Sequence, residues 1–266
     1  MEKILLIGGS GFVGKALAEE LRGDYLVIPT AGHRKPEKGY LLNAESFGGL
    51  AEILKNENPD IVISSIRGDF KAQTDFHREL ANRLSENGKR LLYISTANVY
   101  DGDLSRPHTE DDPPAPESDY GIFKRDCEAM LYERLGDRLT VFRPASVWDR
   151  DCPRIRGLAD DALSGKHHLT YSGDTVNITY AKQIGSYARY VLKNKLSGIF
   201  HVGTTDTVDY FEFEKTVCDT LGIEPPKFDV KKVGPAYQAV IPARKEIPDE
   251  LQMTVEQVLE ALNWGL

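Results

Sequence analysis

Short apolar runs alternate along the first half of the chain with longer segments in which apolar residues recur every three or four positions. The short runs predict strands, and the longer segments predict helices with one apolar face. The predicted strands are Ile4–Ile7, Tyr25–Ile28, Ile61–Ile63, Leu91–Ile94 and Leu139–Phe142, and the predicted helices are Phe12–Arg22, Ser46–Asn56, Lys71–Asn87 and Asp119–Leu135. This alternation is typical of βαβ units, which build a doubly wound parallel sheet with helices on both faces.

The alternation weakens after Arg143-Pro144, although the pattern still predicts four elements. These are a helix at Ala181–Lys193, a strand at Gly198–Val202, and helices at Tyr210–Leu221 and Thr254–Leu262. The first of two proline-rich stretches, Ser105–Ser118, predicts a surface loop, because proline interrupts the hydrogen bonding of helices and sheets. The second, Pro225–Pro248, separates the preceding elements from the last predicted helix. The stretch Ser105–Ser118 lies between the predicted strand Leu91–Ile94 and the next predicted helix. We therefore expect it to border a ligand cleft.

These elements predict an α/β chain of two parts. Residues 1–150 are expected to form a nucleotide-binding domain around the doubly wound sheet, to which residues 179–203 return. Residues 151–178 and 204–266 are expected to form a smaller C-terminal lobe that binds the substrate.

Composition narrows the function without identifying it. With 41% hydrophobic and 28% charged residues, the 266-residue chain resembles an ordinary globular protein. The formal net charge of -8 disfavours a nucleic-acid partner, because phosphate backbones attract basic surfaces. No apolar stretch reaches the length of about 20 residues that a membrane helix needs, and the amino terminus does not resemble a signal peptide. We therefore expect a cytoplasmic protein without a membrane partner.

No cluster of residues has the spacing of a metal site. Cys127, Cys152 and Cys218 are widely separated, and we expect them to be buried as small apolar side chains. The acidic run Glu110–Asp112 lies in a proline-rich loop, where carboxylates are usually solvated. His167-His168 are adjacent, so their side chains would point apart in a strand. We predict no bound metal.

The segment Gly8–Gly14, with the sequence GGSGFVG, follows the first predicted strand and opens the first predicted helix. Gly8 suits a turn conformation that side chains forbid, Gly11 allows backbone amides to approach a diphosphate, and Gly14 lets the helix lie close to the strand. The amino terminus of the helix would then attract the phosphates. The pattern predicts a dinucleotide site; a tight turn without a ligand is the alternative.

The residues that follow the second predicted strand bear on the identity of the cofactor. Many dinucleotide folds place an acid at the end of this strand to bind the adenosine ribose, but Arg34 and Lys35 stand there instead. A guanidinium and an ammonium suit a 2′-phosphate, so we predict a preference for NADP(H), with NAD(H) as the alternative. A solvated basic loop is the competing interpretation.

Tyr120 and Lys124 lie four residues apart at the start of a predicted helix, so the phenol and the ammonium share one face. A phenol with a pKa of about 10 is a weak base at neutral pH, but a neighbouring cation favours the phenolate. The pair is therefore a candidate for proton transfer. An exposed helix pair without a function is the alternative.

Ser95 and Thr96 end the apolar strand Leu91–Ile94, which is expected near the centre of the sheet. The carboxyl ends of such strands face the ligand crevice, so either hydroxyl is placed to donate a hydrogen bond to a substrate oxygen. A simple turn is the competing interpretation.

These motifs carry a resemblance to a known family. The glycine pattern, Ser95-Thr96 before Val99-Tyr100, and Tyr120-x-x-x-Lys124 occur in the order seen in the extended short-chain dehydrogenase/reductase (NAD-dependent epimerase/dehydratase) family. Within it the chain looks most like the dTDP-4-dehydrorhamnose reductases, through residues 95–102, 109–111 and 143–144. The resemblance implies a Rossmann fold and spans nearly the whole chain, more loosely after residue 147.

The resemblance implies a role for each motif. Thr96 would orient the substrate carbonyl, Tyr120 would protonate its oxygen, and Lys124 would hold the nicotinamide ribose and lower the pKa of the phenol. Pro144 and Val147 would line the nicotinamide. Further positions implied for the cofactor are Ser10, Phe12, Val13, Asn43, Ala44, Ser64, Ser65 and Ile66, and those for the substrate are Arg67, Ala97, Asn98 and Ser146.

The chain departs from the family pattern at two cofactor segments. Asn43 stands where the family usually has an aspartate that meets the adenine, and an amide can still make that hydrogen bond. The run Ser64–Arg67 replaces a small, alanine-rich segment, and it brings a cation, Arg67, to the phosphates or to the substrate mouth. A surface ion pair is the alternative role of Arg67.

We therefore expect an NAD(P)-dependent oxidoreductase or epimerase that acts on a sugar, a sugar nucleotide or a related carbonyl compound. No P-loop and no G-x-S-x-G elbow occurs, which argues against kinase and hydrolase functions. The alternative is a non-catalytic dinucleotide-binding regulatory subunit of the same fold. We also expect a homodimer, since related proteins often pair through the helices that correspond to Lys71–Asn87 and Asp119–Leu135.

Overall fold

A sheet of seven parallel strands forms the centre of the chain. The computed structural model describes residues 1–45 and 47–264. The strands lie in the order β10-β6-β5-β4-β1-β2-β3. From β1 the chain adds strands first on one side, up to β3, and then on the other side, from β4 to β10, as in a doubly wound fold. They are β1 (Lys3–Ile7), β2 (Leu26–Ala31), β3 (Tyr40–Leu41), β4 (Ile61–Ser64), β5 (Arg90–Ile94), β6 (Leu139–Pro144) and β10 (Gly198–Val202).

Helices cover both faces of this sheet, so its central strands β1 and β4 are mainly apolar on both faces instead of alternating. In β1 the residues from Ile4 to Ile7 are fully buried, with successive side chains entering different cores. One core is closed by α2 (Leu50–Glu57), α3 (Phe70–Glu86) and α4 (Asp119–Leu135), and the other by α1 (Phe12–Leu21) and α6 (Ala181–Lys193). The predicted doubly wound parallel sheet is confirmed.

The predicted boundaries agree with these elements to within a few residues. The second strand runs from Leu26 to Ala31, so it is longer than the predicted strand Tyr25–Ile28. Helix α2 begins at Leu50, and its predicted start, Ser46, lies outside the described residues. The three cysteines are free and buried, as expected.

The rest of the chain builds two small sheets and a third apolar core. A three-stranded sheet has the order β11-β8-β12, and a two-stranded sheet pairs β7 with β9. Residues of three helices and of these strands, among them Trp148 and Phe213, share the core. The elements are β7 (Ser146–Trp148), α5 (Pro153–Ser164), β8 (His167–Val176), β9 (Ile178–Tyr180), β11 (Val208–Asp209), α7 (Tyr210–Leu221), β12 (Lys227–Gln238) and α8 (Val255–Trp264).

The proline-rich stretch Pro225–Pro248, for which the sequence predicted no strand, contains one. Strand β12 occupies Lys227–Gln238 and pairs in parallel with β8. It is an edge strand with mostly exposed or half-exposed residues, so it lacks the apolar pattern by which a strand is recognised. Its register shifts between Lys232 and Ala236, and this bulge accommodates Pro235.

The proline-rich segment Ser105–Ser118 is a loop, as predicted, and backbone bonds hold it against the chain after β12. The His108 N–H donates to the Ala239 carbonyl at 2.9 Å, and the Ile241 N–H donates to the His108 carbonyl at 2.8 Å. Glu110 accepts the N–H groups of His201 and Ala243 at 2.8 and 2.9 Å. The loop therefore has a fixed position at the edge of the cleft.

Residues 1–45 and 47–264 contain neither a membrane-spanning helix nor a cluster of metal ligands. None of these helices combines the length and the apolar character that crossing a membrane requires. No group of three or more histidine, cysteine, aspartate or glutamate side chains in the same ranges is arranged to hold a metal ion.

Candidate active site

A cavity of about 1180 Å³ lies where the carboxyl ends of the main strands meet the small three-stranded sheet. One side, the main-sheet wall, consists of the segments 8–14, 65–68, 94–98 and 144–147, which follow β1, β4, β5 and β6, together with Tyr120 and Lys124 of α4. The other side, the β8–β12 wall, includes Tyr171, Asp174, Val176, Tyr237 and Gln238. Ligands of doubly wound sheets bind at this edge.

The glycine turn has the geometry that a dinucleotide needs. Gly8 has a φ of +83°, and a Cβ there would lie 2.9 Å from the Ser65 carbonyl carbon. A Cβ on Gly14 would lie 2.1 Å from the Gly8 oxygen, so only glycine lets α1 approach the turn this closely. Gly11 is the N-cap of α1 and no side chain caps the helix. The residues present therefore fit a diphosphate at the start of α1.

Several predicted cofactor positions lie on the main-sheet wall, and others do not. The positions that line the cavity are Gly8, Ser10, Gly11, Phe12, Val13, Gly14, Asn43, Ser65, Ile66, Tyr120, Lys124, Pro144 and Val147. Ala44 is fully buried in the core, and the Ser64 hydroxyl lies 2.9 Å from His77 Nε2, so both stand behind the wall. Arg34 and Lys35 are exposed beside Gly32 and His33, which line the cavity.

Thr96, Tyr120 and Lys124 line the same cavity. Thr96 caps the short turn after β5: its hydroxyl donates to Asn98 Oδ1 at 2.9 Å and accepts the Asn98 N–H at 3.2 Å. Tyr120 lies in the first turn of α4 and is 38% exposed, so its side chain is open to the cavity. The sequence-predicted catalytic residues thus converge from two elements.

Gly121 explains why α4 lies so close to the turn after β5, and sequence reasoning missed it. A Cβ at Gly121 would lie 2.2 Å from the Asn98 oxygen. Ser118 caps the helix by accepting the Gly121 N–H at 3.0 Å. The glycine between Tyr120 and Lys124 therefore lets the helix bring the phenol towards Thr96.

Lys124 is buried and already hydrogen bonded. Its Nζ donates to the Tyr93 hydroxyl at 3.1 Å and to the Ile94 carbonyl at 3.0 Å. Burial lowers the pKa of Lys124 to about 8, and the nearby Glu128 carboxylate only partly opposes this. The cation is thus costly to keep charged in this position.

The pKa of the Tyr120 phenol is raised, whereas the sequence predicted that Lys124 would lower it. Burial raises the pKa of the Tyr120 phenol above its usual value, while the Thr96 hydroxyl and the Arg67 guanidinium act in the opposite direction. Lys124 Nζ lies 6.0 Å from the centre of the Tyr120 ring and is bonded to the β5 strand instead. The phenol is therefore protonated at neutral pH.

A buried ion pair supports the main-sheet wall from behind. Arg143 and Glu128 are almost inaccessible to solvent, and Arg143 Nη2 lies 2.6 Å from Glu128 Oε2. Glu128 also accepts the Ser95 hydroxyl, and Arg143 Nη1 donates to the Tyr100 hydroxyl at 2.5 Å. Because the Ser95 hydroxyl is engaged here, Thr96 is the better placed of the two hydroxyls for a substrate.

The predicted substrate positions Arg67, Ala97, Asn98 and Ser146 all line the cavity. Sequence reasoning missed the residues that complete it on the other side. They come from the loop around His108, the start of α5, β8, α7 and β12, and no local motif marks them. They are His108, Arg154, Tyr171, Asp174, Tyr210, Tyr237 and Gln238.

The family assignment follows from a comparison with known proteins. A family model described as the RmlD substrate binding domain matches residues 1–264. The chain belongs to this family. The match covers the glycine turn, the candidate catalytic residues and both small sheets.

Three similar proteins illustrate the family. The chain is 24% identical over 242 residues to the spore coat polysaccharide biosynthesis protein SpsK of Bacillus subtilis, covering 84% of this chain and 81% of that protein. It is 23% identical over 248 residues to the methionine adenosyltransferase 2 subunit beta of Rattus norvegicus, covering 83% and 72%. The crystal structure of dTDP-4-dehydrorhamnose reductase from Bacillus anthracis in complex with NADP superposes with a TM-score of 0.79 at 20% identity, covering 100% and 99%.

Reductases and an epimerase of activated sugars occur among the other proteins similar to this chain. Solved structures with this fold have been determined with NADP or with NAD. The sequence-based assignment to a sugar-nucleotide reductase and epimerase family is thus confirmed at the level of the family.

Proposed function

We propose that this RmlD-family chain is a reductase that uses NADP(H) to reduce a carbonyl group of a nucleoside-diphosphate sugar. The observation that carries the proposal is that Thr96, Tyr120 and Lys124 line the same cavity as the glycine turn at the start of α1. Oxidation and epimerisation use the same groups, so an epimerase is the alternative reaction at this site. The relatives that are named as reductases and epimerases support the substrate class.

Each catalytic side chain has a defined task in this proposal. The Thr96 hydroxyl orients the substrate carbonyl, and the Tyr120 phenol donates its proton to the carbonyl oxygen as the C–O bond becomes an alcohol. The raised pKa of Tyr120 suits an acid, because the proton is present at neutral pH. Lys124 holds the ribose of the cofactor. When bound, the nicotinamide supplies a hydride to the carbonyl carbon.

Replacing Tyr120 by phenylalanine tests the mechanism. Loss of the proton donor should reduce NADPH-dependent turnover of dTDP-4-dehydrorhamnose by about 10²- to 10⁴-fold, while NADPH affinity is unchanged. Tyr132→Phe is the matched control, since Tyr132 lies on the same helix and is 63% exposed. Turnover by Tyr120→Phe at the wild-type rate would falsify the role of the phenol.

The preference for NADP(H) rests on Arg34 and Lys35, which are exposed beside the cavity-lining residues Gly32 and His33. Their charges suit the 2′-phosphate that distinguishes NADPH from NADH. In a fluorescence titration, the Arg34→Ala/Lys35→Ala variant should lose about tenfold or more in NADPH affinity and none in NADH affinity. Equal losses for both cofactors would contradict the assignment.

A non-catalytic regulatory subunit is the second candidate. It is favoured by the similarity to the methionine adenosyltransferase 2 subunit beta and by the bonds that already occupy Lys124 Nζ. In that case the protein should bind NADPH, show no turnover with any dTDP-sugar carbonyl, and form a stoichiometric complex with a partner enzyme. Turnover that depends on Tyr120 excludes this function.

A further inference from the structure

Asp174 is a buried carboxylate with one oxygen unpaired. It lies on β8, is only 7% exposed and lines the cavity. Its Oδ2 accepts a hydrogen bond from Gln238 Nε2 at 3.0 Å, whereas its Oδ1 has no hydrogen-bond partner among the residues that the structure describes. Buried polar atoms almost always have a partner, so the unpaired oxygen of a cavity-lining residue needs a partner from outside the described chain, either a bound ligand or an ordered water.

Asp174 Oδ1 is one of the unpaired buried side-chain atoms of the described chain whose residue lines the cavity. His108 Nδ1 also belongs to a cavity-lining residue, but it lies 3.5 Å from Asp112 Oδ2. The remaining atoms belong to residues outside the cavity lining, and these atoms are Thr170 Oγ1, Gln183 Oε1 and Glu214 Oε2.

The local backbone is built to place Asp174 here. Gly173 has a φ of +83°, and a Cβ on it would lie 2.5 Å from the Val233 oxygen. This residue faces the bulge of β12, after which Asp174 pairs with Ala236. A bulge next to a site redirects the side chains beside it. The Gly173 N–H is fixed by Asp209 Oδ2 at 2.6 Å, which holds the strand in position.

Two tyrosines of the same strand pair line the cavity together with Asp174, namely Tyr171 on β8 and Tyr237 on β12. Their rings are partly exposed, so they offer an apolar surface for a sugar or base ring. Burial and the nearby Asp209 raise the pKa of Asp174, so an anionic group of a ligand is disfavoured at this place. A neutral hydrogen-bond donor relieves the unpaired oxygen without adding charge.

We propose that Asp174 determines substrate specificity by accepting a hydrogen bond from a neutral O–H or N–H donor of the nucleoside-diphosphate sugar. Gln238 is its positioning residue, and Tyr171 and Tyr237 pack against the ring that carries the donor. This inference rests on the proposed function, because it assigns the β8–β12 wall to the same substrate. The donor belongs either to the nucleoside or to the glycosyl group.

Calorimetric titration of the full chain, saturated with NADP⁺, tests the proposal with dTDP and dTDP-glucose as probes. Asp174→Leu should weaken binding by about 10- to 100-fold, the range for a hydrogen bond to a charged group, and Asp174→Asn by less. NADPH affinity should be unchanged in both variants. Asp229→Asn is the control, because Asp229 is an exposed carboxylate on β12.

The probes locate the donor. A loss for both probes assigns it to the nucleoside, and a loss for dTDP-glucose alone assigns it to the glycosyl group. Unchanged affinity for both probes overturns the inference, as does a loss that affects NADPH equally. If Asp174→Leu does not fold, Asp174→Asn decides: weaker binding than wild type supports the inference, and equal binding overturns it.

Wild-type behaviour separates this inference from the function on which it rests. Binding of NADPH without binding of either probe overturns the proposed sugar-nucleotide function and this inference together. Probe binding by the wild type that Asp174→Asn and Asp174→Leu both retain overturns the inference alone and leaves the proposed function intact.

Discussion

The main-sheet wall of the cavity consists of turns that follow fully buried parallel strands, whereas the β8–β12 wall includes an edge strand that is largely exposed. On the main-sheet wall, glycines bring backbone segments together, with Gly14 against Gly8 and Gly121 against Asn98. These close approaches fix the positions of the turns. The main-sheet wall is therefore set before any ligand arrives.

The two walls also differ in whether their charged groups have partners within the chain. Behind the main-sheet wall, Arg143 and Glu128 satisfy each other, and Lys124 has two acceptors. On the β8–β12 wall, Asp174 keeps one oxygen without a partner. A wall with internal partners maintains a constant geometry for chemistry, and a wall with an unpaired group responds to the identity of the ligand.

The largest effect is expected when the partner of Arg143 is removed. Glu128→Leu leaves a buried guanidinium uncompensated, so the free energy of unfolding should fall by about 3–5 kcal/mol. Urea denaturation followed by circular dichroism measures this change. The substitution should also disturb Ser95 and Tyr100, which are hydrogen bonded to the ion pair. Catalytic activity should therefore fall even at temperatures where the variant is still folded.

Asp75→Ala is the control for this prediction. Asp75 pairs with Lys71 and Arg78 on the exposed face of α3, at 2.8 and 2.7 Å. Exposed pairs contribute about 0–1 kcal/mol, so this variant should unfold close to wild type. Equal losses in the two variants would mean that the buried pair does not hold the main-sheet wall together.

The same contrast explains what the sequence predicted. The main-sheet wall comes from contiguous motifs, and Gly8–Gly14 or Tyr120 with Lys124 are close together in sequence before the chain folds. The β8–β12 wall joins residues such as Asp174 and Tyr237, which are far apart and come together only through a strand pair. Since β12 carries little apolar pattern, its sequence does not distinguish it from a loop.

Details of the main-sheet wall also escaped prediction, because they depend on side-chain direction. Ala44 follows β3 and Ser64 ends β4, but both are buried in the core, where the hydroxyl of Ser64 lies against His77. Spacing places Lys124 on the same face as Tyr120, yet its Nζ reaches the Ile94 carbonyl of β5. Sequence spacing gives the face of a helix, and only packing gives the partner of a side chain.

The pH dependence of stability tests whether burial makes the charged form of Lys124 unfavourable. In the folded chain burial lowers its pKa to about 8 from the ordinary value of 10.5. Between these values the unfolded chain binds more protons, so the stability of the wild type should rise with pH relative to Lys124→Met. Each unit of pKa difference is worth about 1.4 kcal/mol.

The measurement is the difference in the free energy of unfolding between wild type and Lys124→Met at pH 7, 8, 9 and 10. The difference cancels the groups that titrate in both proteins, the tyrosines among them. A difference that stays constant over this range would show that Lys124 keeps its ordinary pKa in the folded chain, and it would remove the cost assigned to its charge.

The smallest effect, and the most direct comparison of the two parts of the chain, comes from two glycines in helices. Alanine favours a helix over glycine by about 1 kcal/mol, so propensity alone predicts that both Gly14→Ala in α1 and Gly157→Ala in α5 stabilise the protein. At Gly157 a Cβ meets nothing within 4 Å, so that gain should be realised.

At Gly14 the sign should reverse. The Cβ would lie 2.1 Å from the Gly8 oxygen and 2.8 Å from the Gly9 Cα, and both are backbone atoms that cannot rotate away. Relief requires α1 to move from the turn, which should cost about 1–3 kcal/mol and weaken NADPH binding at the helix start. Thermal unfolding and NADPH titration of both variants measure this. If Gly14→Ala were as stable as Gly157→Ala and bound NADPH normally, the close contact between α1 and the turn would not be what shapes the cofactor site.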